Sequence, residues 1–345
     1  MRTAILDVGS NSAHLKLVDL AAGGPIRTVT SVKQPTRLAE SITPDGRIEN
    51  EAVDRLVSAV AVSIGIAKAA CAGELIAFAT SAVRDATNRC HIVERIAAHT
   101  GVDMRFLPGR DEARLTFLAA RAWYGWSTGP LLLADIGGGS LEIATGDGTE
   151  PDTALSIPLG AGRLTRDHLP GDPPRHEHVE RLRHHVADEL VTYLTGQLTD
   201  QQPHQHAVAT SRTFTQLAGL TRGKSKGKSK EGRRVLRLEA LREQIPHLAK
   251  LKTSERARLK GVSASRAHQI LAGAIVAEAL MTALDLARLE ICPWALREGI
   301  ALRRLQQLST SAGQVGDIGH LLQPLPAQRP CTSSPSRHPT DQRAG

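Results

Sequence analysis

The sequence predicts an α/β protein made of two similar halves that face one cleft. Three observations carry that expectation. Short apolar runs alternate with stretches of helical periodicity along most of the chain. A strand–turn–strand unit occurs twice, 128 residues apart: Asp7-Val8-Gly9-Ser10-Asn11-Ser12 and Asp135-Ile136-Gly137-Gly138-Gly139-Ser140 share the order Asp, apolar, Gly, two free positions, Ser. Finally, 345 residues with 41% apolar content suffice for two cores, and 3% aromatics means Leu, Val, Ile and Ala must fill them.

Residues 3–9 and 13–20 read as strands around the first turn. The stretch 50–70 has helical periodicity, with Asn50 placed as its N-cap. Residues 74–80 form a short apolar strand, and Ser81 is placed as the cap of a following helix. The stretch 90–101 is a helix stopped by Gly101. A strand and turn over 102–109 lead into a helix over 110–125 with acids in its first turn. After Trp126 the pattern restarts at "GPLLLADIGGGSLEIATGDG". "PLGAGRLT" (158–165) has too few glycines for a dinucleotide fingerprint and reads as a strand and bend beside the cleft. A helix over 177–198 and a strand, turn and helix over 206–220 follow. The basic loop "TRGKSKGKSKEGRR" (221–234), two helical stretches and "LEICPWALREGIALRRLQQL" (289–308) complete the pattern. From about Ser309 the chain is rich in Ser, Pro, Gln and Gly, and 309–345 reads as a disordered tail.

Forty-three Lys and Arg against 35 Asp and Glu leave a net charge of +8, which favours polyanionic partners. Four scattered cysteines offer no CxxC pair and fit a reducing cytoplasm. Asp7 inside the first apolar run argues against a signal peptide, and Glu278 and Asp285 mark the apolar segment 270–287 as a core helix rather than a membrane span. Neither Gly-Lys-Ser of the basic loop is a Walker A motif, because the required upstream glycine is Ala218 in one and Arg222 in the other. His176, His178, His184 and His185 have no zinc spacing and read as a polar helix face. No specific nucleic-acid site is expected.

Three stretches offer chemistry. The Gly137–Gly139 turn lets backbone N–H groups approach an anion, Ser140 adds a hydroxyl, and Asp135 can hold Mg²⁺. Glu142, two positions after Ser140, lies on the same strand face. The plainer alternative is a tight hairpin using glycine for positive φ. In "ATSAVRDA" (79–86), Thr80, Ser81 and Arg84 suit phosphate oxygens at a helix start, or form an ordinary cap with a surface arginine. Asp111 and Glu112 either complement a helix dipole or supply a general base.

Taken together, "DVGSNSAHL", "RLAE", "ATSAVRDA", "GRDEARLTFLA", "DIGGGSLEIA", "PLGAGRLT" and "PWALREG" resemble the exopolyphosphatase/guanosine pentaphosphate phosphohydrolase family of the actin–sugar kinase–chaperone fold, from Met1 to about Leu305. The resemblance implies two ribonuclease-H-like domains with the site between them. The first would span 1–125, completed by a C-terminal helix at about 293–307, and the second 126–292. It implies Glu112 as base or positioner of the attacking water, with Asp135 and Glu142 holding Mg²⁺. Asp7, Ser10 and Asn11, together with Gly137, Gly138, Gly139 and Ser140, would form two phosphate loops, with Thr80, Ser81 and Arg84 as further contacts. The implied activity is release of terminal orthophosphate from inorganic polyphosphate in the cytoplasm. The alternatives are removal of the 5′-γ-phosphate of guanosine pentaphosphate and a non-catalytic sensor of polyphosphate or nucleotide. A homodimer is implied by the family alone. Two departures stand out. The chain has no room for the C-terminal His-Asp-type helical domain of long members, and "ATSRTF" (209–214) lacks the Gly-Gly-Thr-like turn common in this fold.

Overall fold

The structure, a computed structural model, describes residues 1–197, 206–221, 234–309 and 318–325. Its first part runs β1 (Arg2–Val8), β2 (Ser12–Asp19), β3 (Arg27–Pro35), α1 (Asn50–Ala69), β4 (Glu74–Ala79), α2 (Ser81–Arg84), α3 (Arg89–Thr100) and β5 (Arg105–Phe106). The strands β1, β2 and β3 form an antiparallel meander; β4 lies parallel to β1, and β5 parallel to β4. Next come α4 (Gly109–Tyr124), β6 (Leu131–Ile136), β7 (Leu141–Gly146), β8 (Thr153–Ile157), α5 (Ala161–His168), α6 (His176–Leu194), β9 (His206–Thr210) and α7 (Ser211–Leu220). The chain ends with β10 (Val235–Arg237), α8 (Leu238–Lys250), α9 (Thr253–Arg256), α10 (Ile270–Ala283), β11 (Arg288–Ile291), α11 (Leu296–Ser309) and β12 (Leu322–Gln323). The second sheet repeats the plan: β6, β7 and β8 form the meander, β9 lies parallel to β6, and β11 parallel to β9. Both sheets therefore have the ribonuclease-H-type order, and the fold is the two-domain actin-like one.

The central strands β1 and β6 are nearly continuous apolar runs because helices cover both sheet faces. The helix α10 is apolar except at Glu278, which pairs with Arg183, and at Thr282, and it packs among α5, α6, α7 and α8. Among the described residues no helix is long and apolar enough to cross a membrane. On the first sheet, α11 sets Leu296, Ile300 and Ala301 against Ile5, Phe78 and Leu115. It crosses α4 so closely that a Cβ on Gly299 would stand 1.8 Å from the Leu115 carbonyl oxygen. This contact ties the end of the chain to the helix that carries Glu112.

Several local expectations are corrected. Glu49, not Asn50, caps α1, and Thr80, not Ser81, precedes α2, which is only one turn long. The segment after Gly160 is a helix, α5, rather than a bend; its apolar Ala161 and Leu164 face the core. The tail is not uniformly irregular either. Ile318 and Leu321 are buried on the first sheet, and β12 pairs with β4, because a few apolar residues inside a polar stretch suffice to cover an open edge. Residues 326–345 and the basic loop 222–233 lie outside the described residues.

Candidate active site

The duplicated hairpins lie on one cavity of about 710 Å³ between the sheets. Of the residues singled out in the sequence for the cleft, all but Arg84, Asp111, Gly139 and Glu142 line it. Each turn closes with the same bond, Gly9 N–H to Ser12 carbonyl at 3.1 Å and Gly137 N–H to Ser140 carbonyl at 2.9 Å. The turn carbonyls are engaged by segments behind them: Ala161 N–H donates to Gly137, Arg163 N–H to Gly138, and Arg163 Nε to Gly139. That leaves the Gly138 and Gly139 N–H groups as uncommitted donors among the described residues.

The reason for the glycines differs from the hairpin expectation. None of Gly137, Gly138 and Gly139 has positive φ. What they permit is close approach: a Cβ on Gly138 would stand 2.0 Å from Ser10 Oγ, and one on Gly139 2.4 Å from Ser81 Oγ. The two halves thus meet hydroxyl on glycine. Ser10, Ser81 and Gly138 all face the cavity, whereas Gly139 lies on the far side of this contact.

Four carboxyl groups gather at the floor. Asp135 and Glu142 are directly opposite in the β6–β7 register, a like-charge pairing that a sheet tolerates only with compensation. Burial and Asp135 push Glu142 up to about 8, although Ser140 and the Ser156 hydroxyl, 2.9 Å away, favour its charged form. Burial raises Asp135 to about 6, against the pull of Arg266 and Arg297. Glu112, in the first turn of α4, is held well above the usual carboxylate range by burial and by Glu142, Asp135 and Asp7, and its Oε2 is buried without a hydrogen-bond partner. Asp7 differs, because Arg297 Nη1 lies 2.7 Å from its Oδ2. Glu142 is buried behind Asp135 rather than on the cavity surface.

Arg84 does not reach the cavity. Its Nη1 donates to the Leu107 carbonyl at 2.9 Å and its Nε to Asp85 at 2.9 Å, so the guanidinium is committed to the protein. From there it favours ionisation of Glu112 and Glu142.

The cations that do face the cavity are Lys33, Arg212, Arg234, Arg266 and Arg297, none of them singled out in the sequence as a site residue. Lys33, Arg212 and Arg266 have no ion-pair partner among the described residues, and burial, then the like charges around them, depress Lys33 and Arg266. A signal existed for two of them. Arg297 lies within "PWALREG", and Arg212 follows the second of two Ala-Thr-Ser stretches, 79–81 and 209–211. In space these stretches match, each ending a strand parallel to the central one and opening a helix. Ser211 takes φ 78°, a strained value for serine, and hydrogen-bonds Asp135. The histidines of α6 lie away from the cavity, where His185 stacks on His168 at 4.4 Å. Among the described residues, no three His, Cys, Asp or Glu side chains form a ready metal cage.

Comparison with known proteins agrees with this geometry. The model of the Ppx/GppA phosphatase family matches residues 17–308. Exopolyphosphatase 1 of Mycobacterium tuberculosis is 48% identical over 305 residues, 88% of each chain. Its Mycobacterium leprae counterpart is 47% identical over 305 residues, 88% of this chain and 90% of that one. Among solved structures, an exopolyphosphatase from Cytophaga hutchinsonii superposes with a TM-score of 0.77 at 24% identity, covering 89% of this chain and 98% of that one. The Aquifex aeolicus Ppx/GppA family member gives 0.72 at 24% identity, covering 90% and 99%. These two share the fold. With a family model spanning both halves and relatives near one-half identity, the chain belongs to the Ppx/GppA phosphatase family.

Proposed function

We propose that the chain is an exopolyphosphatase, a hydrolase that removes terminal orthophosphate from inorganic polyphosphate in the cytoplasm. One observation carries this reading: the carboxyls of Asp7, Glu112 and Asp135 line the same cavity as Lys33, Arg212 and Arg266, cations with no ion-pair partner among the described residues. Cations without protein partners suit a ligand that brings several negative charges, and close relatives bear the name exopolyphosphatase.

The donor set fits Mg²⁺. Oxygen ligands, carboxyls pushed towards protonation by burial and by one another, and a Glu112 oxygen buried without a hydrogen-bond partner all suit a cation. Mg²⁺ needs only one or two protein carboxylates, so the lack of a ready cage is no objection. Asp135, with Glu142 behind it, would hold the ion, which when bound neutralises developing charge on phosphoryl oxygens.

The chain's own groups supply the rest. Ser10, Thr80, Ser81 and Ser140, with the Gly138 N–H group, hold the terminal phosphate. Glu112 Oε2 accepts a hydrogen bond from water and aligns it with the phosphorus, and takes up its proton as the P–O bond to the chain breaks. Lys33, Arg212 and Arg266 bind the remaining chain, which leaves with the former bridging oxygen as its new terminal oxygen, while the terminal phosphoryl group and the water oxygen become orthophosphate. Phosphoryl transfer depends chiefly on positioning and charge, so a carboxylate base is sufficient.

Hydrolysis of guanosine pentaphosphate by the same groups has one observation in its favour. Trp123 lines the cavity, is 44% exposed and offers an aromatic face to a base. Steady-state assays on both substrates with Mg²⁺ test the order: a larger kcat/KM for polyphosphate is expected, and a larger value for the nucleotide reverses the reading.

A further inference from the structure

We infer that orthophosphate leaves through a rear passage behind the glycine turn while the shortened polymer stays in the front cavity. The inference rests on the hydrolase reading above. A polymer cut from its end creates a traffic problem. The terminal phosphate lies deepest, at the glycine turn, and the remaining chain fills the front of the cavity among Lys33, Arg212 and Arg266. Phosphate released there is trapped between polymer and wall unless the polymer lets go.

The wall is thin. Ser10, Ser81 and Gly138 line both the front cavity and a second cavity of about 120 Å³ on the other side of the turn. The partition is Ser10 against Gly138 and Ser81 against Gly139, with no bulky side chain contributed by the turn. The second cavity shares Ala39, Ile42 and Arg166 with a third, of about 540 Å³, which is also lined by the exposed residues Arg37, Glu40 and Ser265 and so reaches solvent.

The route also carries guanidinium groups. Arg163 and Arg166 line the second cavity, paired with Asp85 and Asp167, and Arg37 and Arg166 line the third beside Glu40. Arg163 carries the latch. Its Nε holds the Gly139 carbonyl at 2.9 Å, and its Nη2 pairs with Asp85 at 2.5 Å, joining α5 of one half to the end of α2 in the other. Widening the partition requires this link to stretch.

The test uses Ala39→Phe, which adds bulk where the two rear cavities meet, and Arg166→Glu, which reverses charge on the route. Bond cleavage in the first turnover is read by acid quench, and free orthophosphate by a fluorescent phosphate sensor. Both variants are expected to cleave the first bond at the wild-type rate. Ala39→Phe should then slow phosphate appearance from long polyphosphate by about ten-fold, making release limiting, and Arg166→Glu by less. Tripolyphosphate should change less than two-fold, because its pyrophosphate remnant clears the front. Orthophosphate should inhibit the wild type noncompetitively against polyphosphate. Equal slowing on both substrates, unchanged release in Ala39→Phe, or competitive inhibition overturns the rear exit. Failure of the wild type to cleave polyphosphate overturns the hydrolase reading instead.

Discussion

The two hairpins share one backbone and carry opposite electrostatics. In the first, Asp7 faces His14 across the β1–β2 register; in the second, Asp135 faces Glu142 at positions 128 residues on. Asp7 is neutralised by Arg297 at 2.7 Å, and His14 is kept neutral, pushed down to about 4 by burial and by Arg297, Lys33 and Lys16. The second pair has no ion-pair partner among the described residues: burial and Asp135 hold Glu142 at about 8, and burial and Asp7 hold Asp135 at about 6 against Arg266 and Arg297. One hairpin is electrically settled. The other is relieved by protons or, on the function proposed above, by a cation. The two hairpins share a cradle, and the residues at one opposing pair set their electrostatics apart.

The strongest way to break that comparison is to remove each acid in turn. Asp135→Asn and Glu112→Gln should each lower kcat on polyphosphate by about 10²–10⁴-fold, whereas His14→Gln should change it less than three-fold. Equal losses at His14 and Asp135, read by phosphate release, would make the hairpins functionally alike.

The contact between the turns should come next. Gly138→Ala drives a methyl into Ser10 and should destabilise the fold by ~1–3 kcal/mol, read as a fall in denaturation midpoint. Adding Ser10→Gly removes the clashing atoms and should recover most of that loss; no recovery would mean that the turn needs glycine for its own conformation.

Charge frustration in the second hairpin has a signed pH effect. Asp135 and Glu142 bind protons more tightly folded than unfolded, so their contribution to stability is full below about pH 4 and is lost as pH rises through about 6 and about 8. Without Mg²⁺, Glu142→Gln should match the wild-type Tm near pH 5 and exceed it near pH 9, and Mg²⁺ should narrow the gap by stabilising the wild type. A constant difference across pH would remove the frustration from the account.

The smallest effect concerns the rim. Lys33→Ala or Arg212→Ala should raise KM for polyphosphate by about three-fold, less so at high salt where exposed charges are screened. An unchanged KM in low salt would show that these cations do not meet the substrate.

The sequence alone determined the repeated hairpin, the alternation of strands and helices, and most of the cavity floor. These are local facts: an Asp at a strand end, glycine at a turn, acids in the first turn of a helix. It also held the second Ala-Thr-Ser stretch, noted for its lack of a glycine pair but not as a copy of the first, because Arg212 and Thr213 depart from that copy after only three shared residues. Tertiary structure decided the rest. Arg297 reaches Asp7 across 290 residues of chain, and no spacing rule spans that distance. Arg84 looked suited to phosphate, yet its donors go to Leu107 and Asp85 because α2 ends against the segment that follows β5. Gly138 and Gly139 were legible as required, but not why: the atoms that exclude a side chain belong to Ser10 and Ser81 in the other half. Pairings between residues far apart depend on how two packed halves close, and that is where the chemistry of this cavity is set.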